Sequence, residues 1–389
     1  MYKKLSLLTI ALGTIFLGSM FIIALSGSPV VDAQVDAIPD WVGSDTCIGC
    51  HGGIGDQQAL HGHSYKLNRV DGAAPEYPHG QELIPPEGYT WDDISFVIGG
   101  FAWKARFVDS NGYIITGDEN ATTQYNFPLI DERTGAEISP EGWVGYHAGE
   151  VDKPYNCGSC HTTAYNHDSS TNMDGLPGLI GEWQEEGIQC EECHGPGSLH
   201  VEEPIRVNML RDRAAEACGD CHYRGDIAVL DASGPFVKHH EQYEEILTAP
   251  HAAMECIDCH DPHQSVQPFY DPEVNPARGM RTSCNDCHFD TLNSEDHIEE
   301  GVTCIDCHMP PMTASGNRNE ELLWGDLRTH LYQINTDVNA SQFEEDGSIA
   351  SFITLEYACT RCHSDWTVEE MAEEADDYHD HDDDHDDDD

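Results

Sequence analysis

HAAMECIDCHDPH, residues 251–263, carries Cys256 and Cys259 three apart, His260 directly behind them, and further histidines at His251 and His263. Cys-x-x-Cys-His is the attachment signature of a c-type haem. The spacing has a mechanical reason. Residues three apart share one face of a helical turn, so two thiols there reach the two vinyl groups on one porphyrin edge. The next residue then turns its imidazole onto the iron as proximal ligand. The outer two histidines matter more. If they fill sixth positions, the irons only pass electrons; an iron with one face open can bind and convert a small molecule.

The same pattern accounts for every cysteine. The sets are Cys47/Cys50/His51, Cys157/Cys160/His161, Cys190/Cys193/His194, Cys218/Cys221/His222, Cys256/Cys259/His260, Cys284/Cys287/His288, Cys304/Cys307/His308 and Cys359/Cys362/His363. Eight motifs use all 16 cysteines. Zinc ribbons and disulfides also use paired cysteines, but neither explains a histidine behind every pair. The expected cofactors are eight covalently attached haem c groups. The expected fold is mainly α and irregular, a multihaem cytochrome c organised around those haems, with a small antiparallel β insertion near residues 90–130. Phe96–Ile98, FAWKARFVD (101–109), the Asn111-Gly112 turn and YIITGD (113–118) read as its strands. A cap of no chemical role is the expectation for it. Helices are expected near Glu202–Glu216, Phe236–Leu247 and Val368–Ala375.

With 389 residues and 39% hydrophobic content, side chains alone make a thin core, and the haems are expected to complete it. Acidic residues outnumber basic ones by 72 to 18, a net charge of −54. Such a surface excludes charge-driven binding to nucleic acid. It suits solubility and cationic or metal partners. Lys3 and Lys4 precede an apolar run from Leu5 to about Ser26, which reads as an export signal. Cleavage before Gln34 and retention as an N-terminal membrane anchor are both open. The expected location is periplasmic, cell-surface or extracellular. Asn120 and Asn339 stand in glycosylation sequons that chance explains equally well.

The expected organisation is a signal or anchor at 1–33, a region with the first haem and the β segment at 34–156, and a compact core of haems two to seven at 157–310. An eighth-haem region follows at 311–366, then an acidic tail at 367–389. That tail, with His379, His381 and His385, reads as solvated and disordered, and its histidines are not expected to bind haem.

Of 23 histidines, eight are proximal and three lie in the tail, leaving twelve for sixth positions. The distal candidates are His63, His147, His200, His239 or His240, His251, His263, His297 and His330; His61, His79 and His167 are weaker. His251 and His263 are expected to ligate haems other than their own. Met254, Met309 and Met312 are rival ligands, which would raise the potential.

CHGPGSLH (193–200), CHDPH (259–263), CIDCHMP (304–310) and THLYQI (329–334) resemble motifs of the superfamily of pentahaem nitrite reductases, octahaem hydroxylamine oxidoreductases and related electron-transfer cytochromes. The resemblance covers residues 41–365. It implies that the haem at His308 is ligated by histidines on both sides, with His330 supplying a distal bond. The Cys-x-x-Cys-Lys that marks the catalytic haem of nitrite and tetrathionate reductases is absent. Hydroxylamine oxidoreductases crosslink a tyrosine to the catalytic haem, and none of the 15 tyrosines is singled out here. The resemblance extends to extracellular cytochromes that polymerise into filaments.

The leading expectation is therefore an electron-transfer protein with mostly bis-histidine haems. It would take electrons from a redox donor protein and pass them to an acceptor, with self-association into filaments as a variant. No catalytic residue is assigned. The alternative is an oxidoreductase with one open haem acting on nitrite, hydroxylamine or a sulfur oxyanion, and the shortage of Lys and Arg counts against it.

Overall fold

A computed structural model describes residues 38–168, 173–225, 227, 229–238, 242–266, 279–289, 294–376 and 378–379. The chain divides into two compact units, Met1–Ile38 and Pro39–Asp389, and the second holds all eight motifs. The apolar N-terminal run, His239, His240, His381 and His385 lie outside the described residues. Among the described residues no helix is long and apolar enough to cross a membrane.

Each haem motif begins, ends or spans a short helical turn, as the thiol spacing requires. Examples are Gly158–His161, Cys190–His194, Cys256–Cys259 and Cys304–His308. Four motifs have aspartate as their second spacer residue, and in three of them the aspartate locks its turn from the third helical position. Asp258 accepts the backbone N–H of Glu255 at 2.9 Å, Asp286 that of Ser283 at 2.8 Å and Asp306 that of Thr303 at 2.9 Å. The longest helix, Ser44–Gln58, is bent at its own motif, where His51 leaves helical geometry.

The β segment is larger than expected. Five strands, β1 (Leu67–Arg69), β2 (Ile94–Gly99), β3 (Lys104–Asp109), β4 (Gln124–Asn126) and β5 (Gly142–Val144), form one antiparallel sheet in that order. YIITGD contributes only single bridges, Val108 to Ile114 and Tyr113 to Pro154, before the chain turns at Gly117 with φ +66°. The bend between β2 and β3 requires Gly100, at φ +88°, because a Cβ there would sit 2.1 Å from the Tyr77 hydroxyl.

Both sheet faces are buried. Val97, Ala105 and Phe107 pack on one side with Tyr77, Phe101 and Phe127. Leu67, Phe96 and Ile98 pack on the other with Tyr155, Leu179 and Trp183. A third core joins Leu230, Val237, Met312, Leu331, Ile349 and Ile353. Met312 is fully buried there, which explains that rival ligand as packing.

Two expected helices are corrected. After Ser198–Glu202 the helix stops at Glu203, because the residue before Pro204 is pushed out of helical geometry; the next helix is Ala215–Gly219. Phe236–Lys238 is a strand paired with Ala232–Ser233 and Thr313–Ala314, and the helix there begins at Gln242. The expected helix near 368 is present as Val368–Asp376, with Met371 buried. It opens the region expected to be disordered, and its negative charge along most of its length did not prevent folding.

Candidate haem centres

Several motif histidines are oriented by a hydrogen bond from the ring nitrogen that faces away from the attachment edge. His161 Nδ1 lies 2.9 Å from the carbonyl of Lys66, His194 Nδ1 2.7 Å from that of Leu210, and His308 Nδ1 2.7 Å from that of Tyr332. A carbonyl acceptor fixes the tautomer with Nδ1 protonated and leaves Nε2 for a metal.

Seven motif histidines have a second histidine ring opposite them. The pairs are His51–His200 at 6.3 Å between ring centroids, His222–His63 at 6.1 Å, His194–His263 at 6.1 Å and His288–His251 at 6.0 Å. His260–His330 follow at 6.1 Å, His363–His297 at 6.0 Å and His308–His379 at 5.9 Å. A metal–imidazole bond is about 2 Å and a ring nitrogen stands about 1 Å from its centroid, so two imidazoles on one iron need about 6 Å. The residues present therefore fit haem iron, one ring on each side.

The role of the outer histidines in residues 251–263 follows from these pairs. His251 faces His288 of the sixth motif and His263 faces His194 of the third, so neither serves the motif it flanks. His63, His200, His297 and His330 also face motif histidines. His330 faces His260, however, and not His308 as the resemblance implied. His308 instead faces His379, from the stretch set aside as tail. His147 has a half-exposed ring that pairs with Glu150 at 2.8 Å and lies against Tyr146, and among the described residues no motif histidine stands opposite it. His239 and His240 lie outside the described residues. Of the weaker candidates, His61 stacks on His63, His79 on Phe101, and His167 is exposed.

Five attachment cysteines are exposed: Cys50, Cys193, Cys284, Cys287 and Cys362. Cys50 lies in the helix Ser44–Gln58, whose buried residues are Ser44 and Gly55. Cys362 lies beyond the end of the helix Leu355–Cys359, in a turn that its N–H closes on the carbonyl of Cys359 at 3.0 Å. Their partners Cys47 and Cys359 are half-buried, so in each motif one thiol sits deeper than the other. Thiol spacing is kept in both motifs, and an attached porphyrin would have one edge at the surface.

His161 differs from the other seven motif histidines. Among the described residues no histidine ring stands opposite it. Cations gather there instead. β3 alternates, so Lys104 and Arg106 share one sheet face while Ala105 and Phe107 fill the core behind. Register places Asn126 of β4 opposite Lys104; Gln124, two residues along, accepts from Arg106 Nε at 2.6 Å. The Arg106 guanidinium lies 3.6 Å over the Tyr146 ring. Lys66, directly before β1, is buried with its ammonium 5.6 Å over Trp103. Arg224 lies within electrostatic reach of Cys157, Cys160, His161, Lys104 and Arg106.

Burial acts against these charges. It lowers Lys66 to about 8, and with the neighbouring Arg106 it holds Lys104 well below an ordinary lysine. It also lowers Arg106, against the opposing pull of Tyr146. Asp326 is the compensating acid. Its carboxylate accepts the backbone N–H groups of Ser315, Gly316 and Asn317 at 2.6, 2.7 and 3.0 Å and pulls electrostatically on Lys104. Lys104 and Arg106 are half-buried and Arg224 is exposed, so these like charges, with so little acid beside them, are favoured by an anion that joins them. The sequence counted too few cations for such a pocket. Three of the 18, Lys66, Arg106 and Arg224, act on His161 from three separate stretches, and Lys104 lies beside them.

The cysteines also order the motifs in space. Cys47 contacts Cys190, Cys160 contacts Cys221, and Cys218 contacts Cys256. Cys193 lies within reach of Cys218, Cys259 of Cys287, Cys284 of Cys304, and Cys307 of both Cys359 and Cys362. The attachment edges thus run first, third, fourth, fifth, sixth, seventh, eighth, with the second branching from the fourth.

A family model described as cytochrome c554 and c-prime matches residues 136–195, which hold β5 and the second and third motifs. The dissimilatory sulfite reductase MccA of Wolinella succinogenes is 21% identical over 282 residues, 56% of this chain and 39% of that protein. The solved octahaem MccA superposes with TM-score 0.56 at 16% identity, covering 84% of this chain and 66% of the other. The chain thus spans less than two thirds of that relative. The outer cell wall cytochrome OcwA superposes with TM-score 0.50 at 18% identity over 86% of each chain. These likenesses concern the fold; together with the eight motifs they support a multihaem c-type cytochrome.

Proposed function

We propose that the chain carries eight haems c, one per motif, seven held between paired histidines and one, at Cys157/Cys160/His161, with a face open to substrate. The protein is then an oxidoreductase for a small inorganic oxyanion, fed with electrons along its other haems. The observation that carries this reading is the contrast at His161: no opposing histidine ring among the described residues, and three cations, Lys66, Arg106 and Arg224, acting on it, with Lys104 beside them. Bound haem there would supply electrons and a coordination position. The chain's own residues would do the rest. Arg106, Lys104 and Arg224 would attract and orient the anion, Lys66 would add positive potential and a proton near neutral pH, and Gln124 and Tyr146 would hold Arg106 in place. The sulfite reductase named among the relatives supports an oxyanion, and nitrite is the main competitor.

In this reading the expected conduit is the supply line to the open haem. The seven pairs and the unbroken order of attachment edges support it. Exposed attachment cysteines in the first, third, sixth and eighth motifs support exchange of electrons with a partner at the surface. Lys3, Lys4 and the apolar run behind them support export, with a periplasmic or cell-surface donor, and the likeness to a cell wall cytochrome points the same way. Self-association into filaments is a variant of that supply line.

The test is turnover. Holoprotein reduced by a viologen dye should reoxidise the dye when sulfite or nitrite is added, and more slowly with sulfate as control. If neither anion draws electrons from fully haem-loaded protein, the enzyme reading fails and the conduit stands alone.

A further inference from the structure

Beyond the last haem motif the chain does not simply leave the fold. Helix Val368–Asp376 packs through Met371 on the protein, and the residues beyond it return across two haem sites. Tyr378 places its hydroxyl 2.5 Å from His297 Nδ1 and within 3.4 Å of the Ser294 hydroxyl. Its neighbour His379 lies with its ring 5.9 Å from that of His308 and tilted only 18° from it. His308 Nδ1 is tied to the carbonyl of Tyr332, so its Nε2 is the atom turned toward that gap. Among the described residues His379 is the histidine that faces His308.

We propose that His379 is the sixth ligand of the iron at Cys304/Cys307/His308, and that Tyr378 is the positioning residue for His297, the ligand opposite His363. A two-residue strap would then set both of the last haems on the path. The chemistry of the two contacts differs. His379 would donate a lone pair directly to iron. Tyr378 would accept the Nδ1–H of His297, which makes the imidazole a stronger donor, favours ferric iron and lowers the potential. The reading rests on haem being bound at each motif, which a haem count per chain checks separately.

The experiment uses the full-length holoprotein. His379→Ala should add one high-spin ferric haem per chain to the electron paramagnetic resonance spectrum, and added imidazole should return it to low spin. This increment is read against wild type, so it stands whether or not the haem at His161 is open. His379→Met keeps a ligand in place should the alanine variant lose haem. It should stay low-spin and raise one reduction potential, as a His/Met haem does. Tyr378→Phe should leave every spin state unchanged and raise one potential. An unchanged spin count in His379→Ala with full haem content would overturn the ligand assignment. Unchanged potentials in Tyr378→Phe would overturn the positioning role.

Discussion

Arg106→Gln removes one cation from the pocket at His161 and little else. The glutamine keeps a polar group beside Gln124, and the surrounding β3 residues Ala105 and Phe107 stay in the core. A charge-assisted hydrogen bond to a partly buried guanidinium contributes about 1.5–3 kcal/mol, so anion affinity should fall roughly 10- to 150-fold. The assay is a spectral titration of oxidised holoprotein with nitrite or sulfite, following the high-spin bands. Carbon monoxide binding to the reduced protein is the control, because a neutral ligand does not feel the lost charge. Anion binding should weaken while carbon monoxide binding is unchanged. If both fall together, Arg106 is scaffolding for the sheet, as its packing on Tyr146 would allow. If neither changes, the cations do not face the open side of that haem, and the electrostatic reasoning is refuted.

Three further outcomes follow from the geometry. His200→Ala should convert one low-spin haem to high-spin, whereas His147→Ala should leave the spectrum unaltered, since its ring meets Glu150 and Tyr146; paired absorption spectra of the two variants decide this. Glu245→Gln should raise the potential of one haem. The fully buried carboxylate lies 3.6 Å from His330 Nδ1 and accepts the His330 backbone N–H at 2.6 Å, and potentiometric titration reads the loss of its charge. Phe107→Ala empties a fully buried position in the sheet and should cost about 3–5 kcal/mol, seen as a lower thermal midpoint with haem content unchanged.

Much of the site could be read directly because haem attachment is local. Three residues of spacing define the thiols and the proximal histidine, so the motif positions needed no tertiary information. Their depth did, since Cys50 and Cys362 satisfy the same spacing at the surface. The distal histidines were legible as a set, because a chain with eight irons has few other uses for so many imidazoles. Their partners were not. His63 with His222 and His260 with His330 are joined only by the folded path, and proximity in sequence misled for His330 and His308. His379 was hidden by composition. Its aspartate-rich surroundings read as solvated, yet the packing of Met371 places it on His308. The pocket was hidden by an average. A strongly acidic chain argued against an anion site, but the fold gathers Lys66, Lys104, Arg106 and Arg224 from distant stretches, and alternation on β3 presents two of them together. The helix expected across 202–216 failed for a local reason that was visible at Pro204.

One haem should differ from the rest in having an open face. The direct measurement is quantitative electron paramagnetic resonance of the fully oxidised, haem-loaded protein, with and without cyanide. The expected result is one high-spin ferric haem per chain beside the low-spin signals of histidine-paired haems, with cyanide converting the high-spin signal alone. Low-spin signals only, indifferent to cyanide, would mean that a ligand closes the haem at His161 and that the protein conducts electrons without converting a substrate.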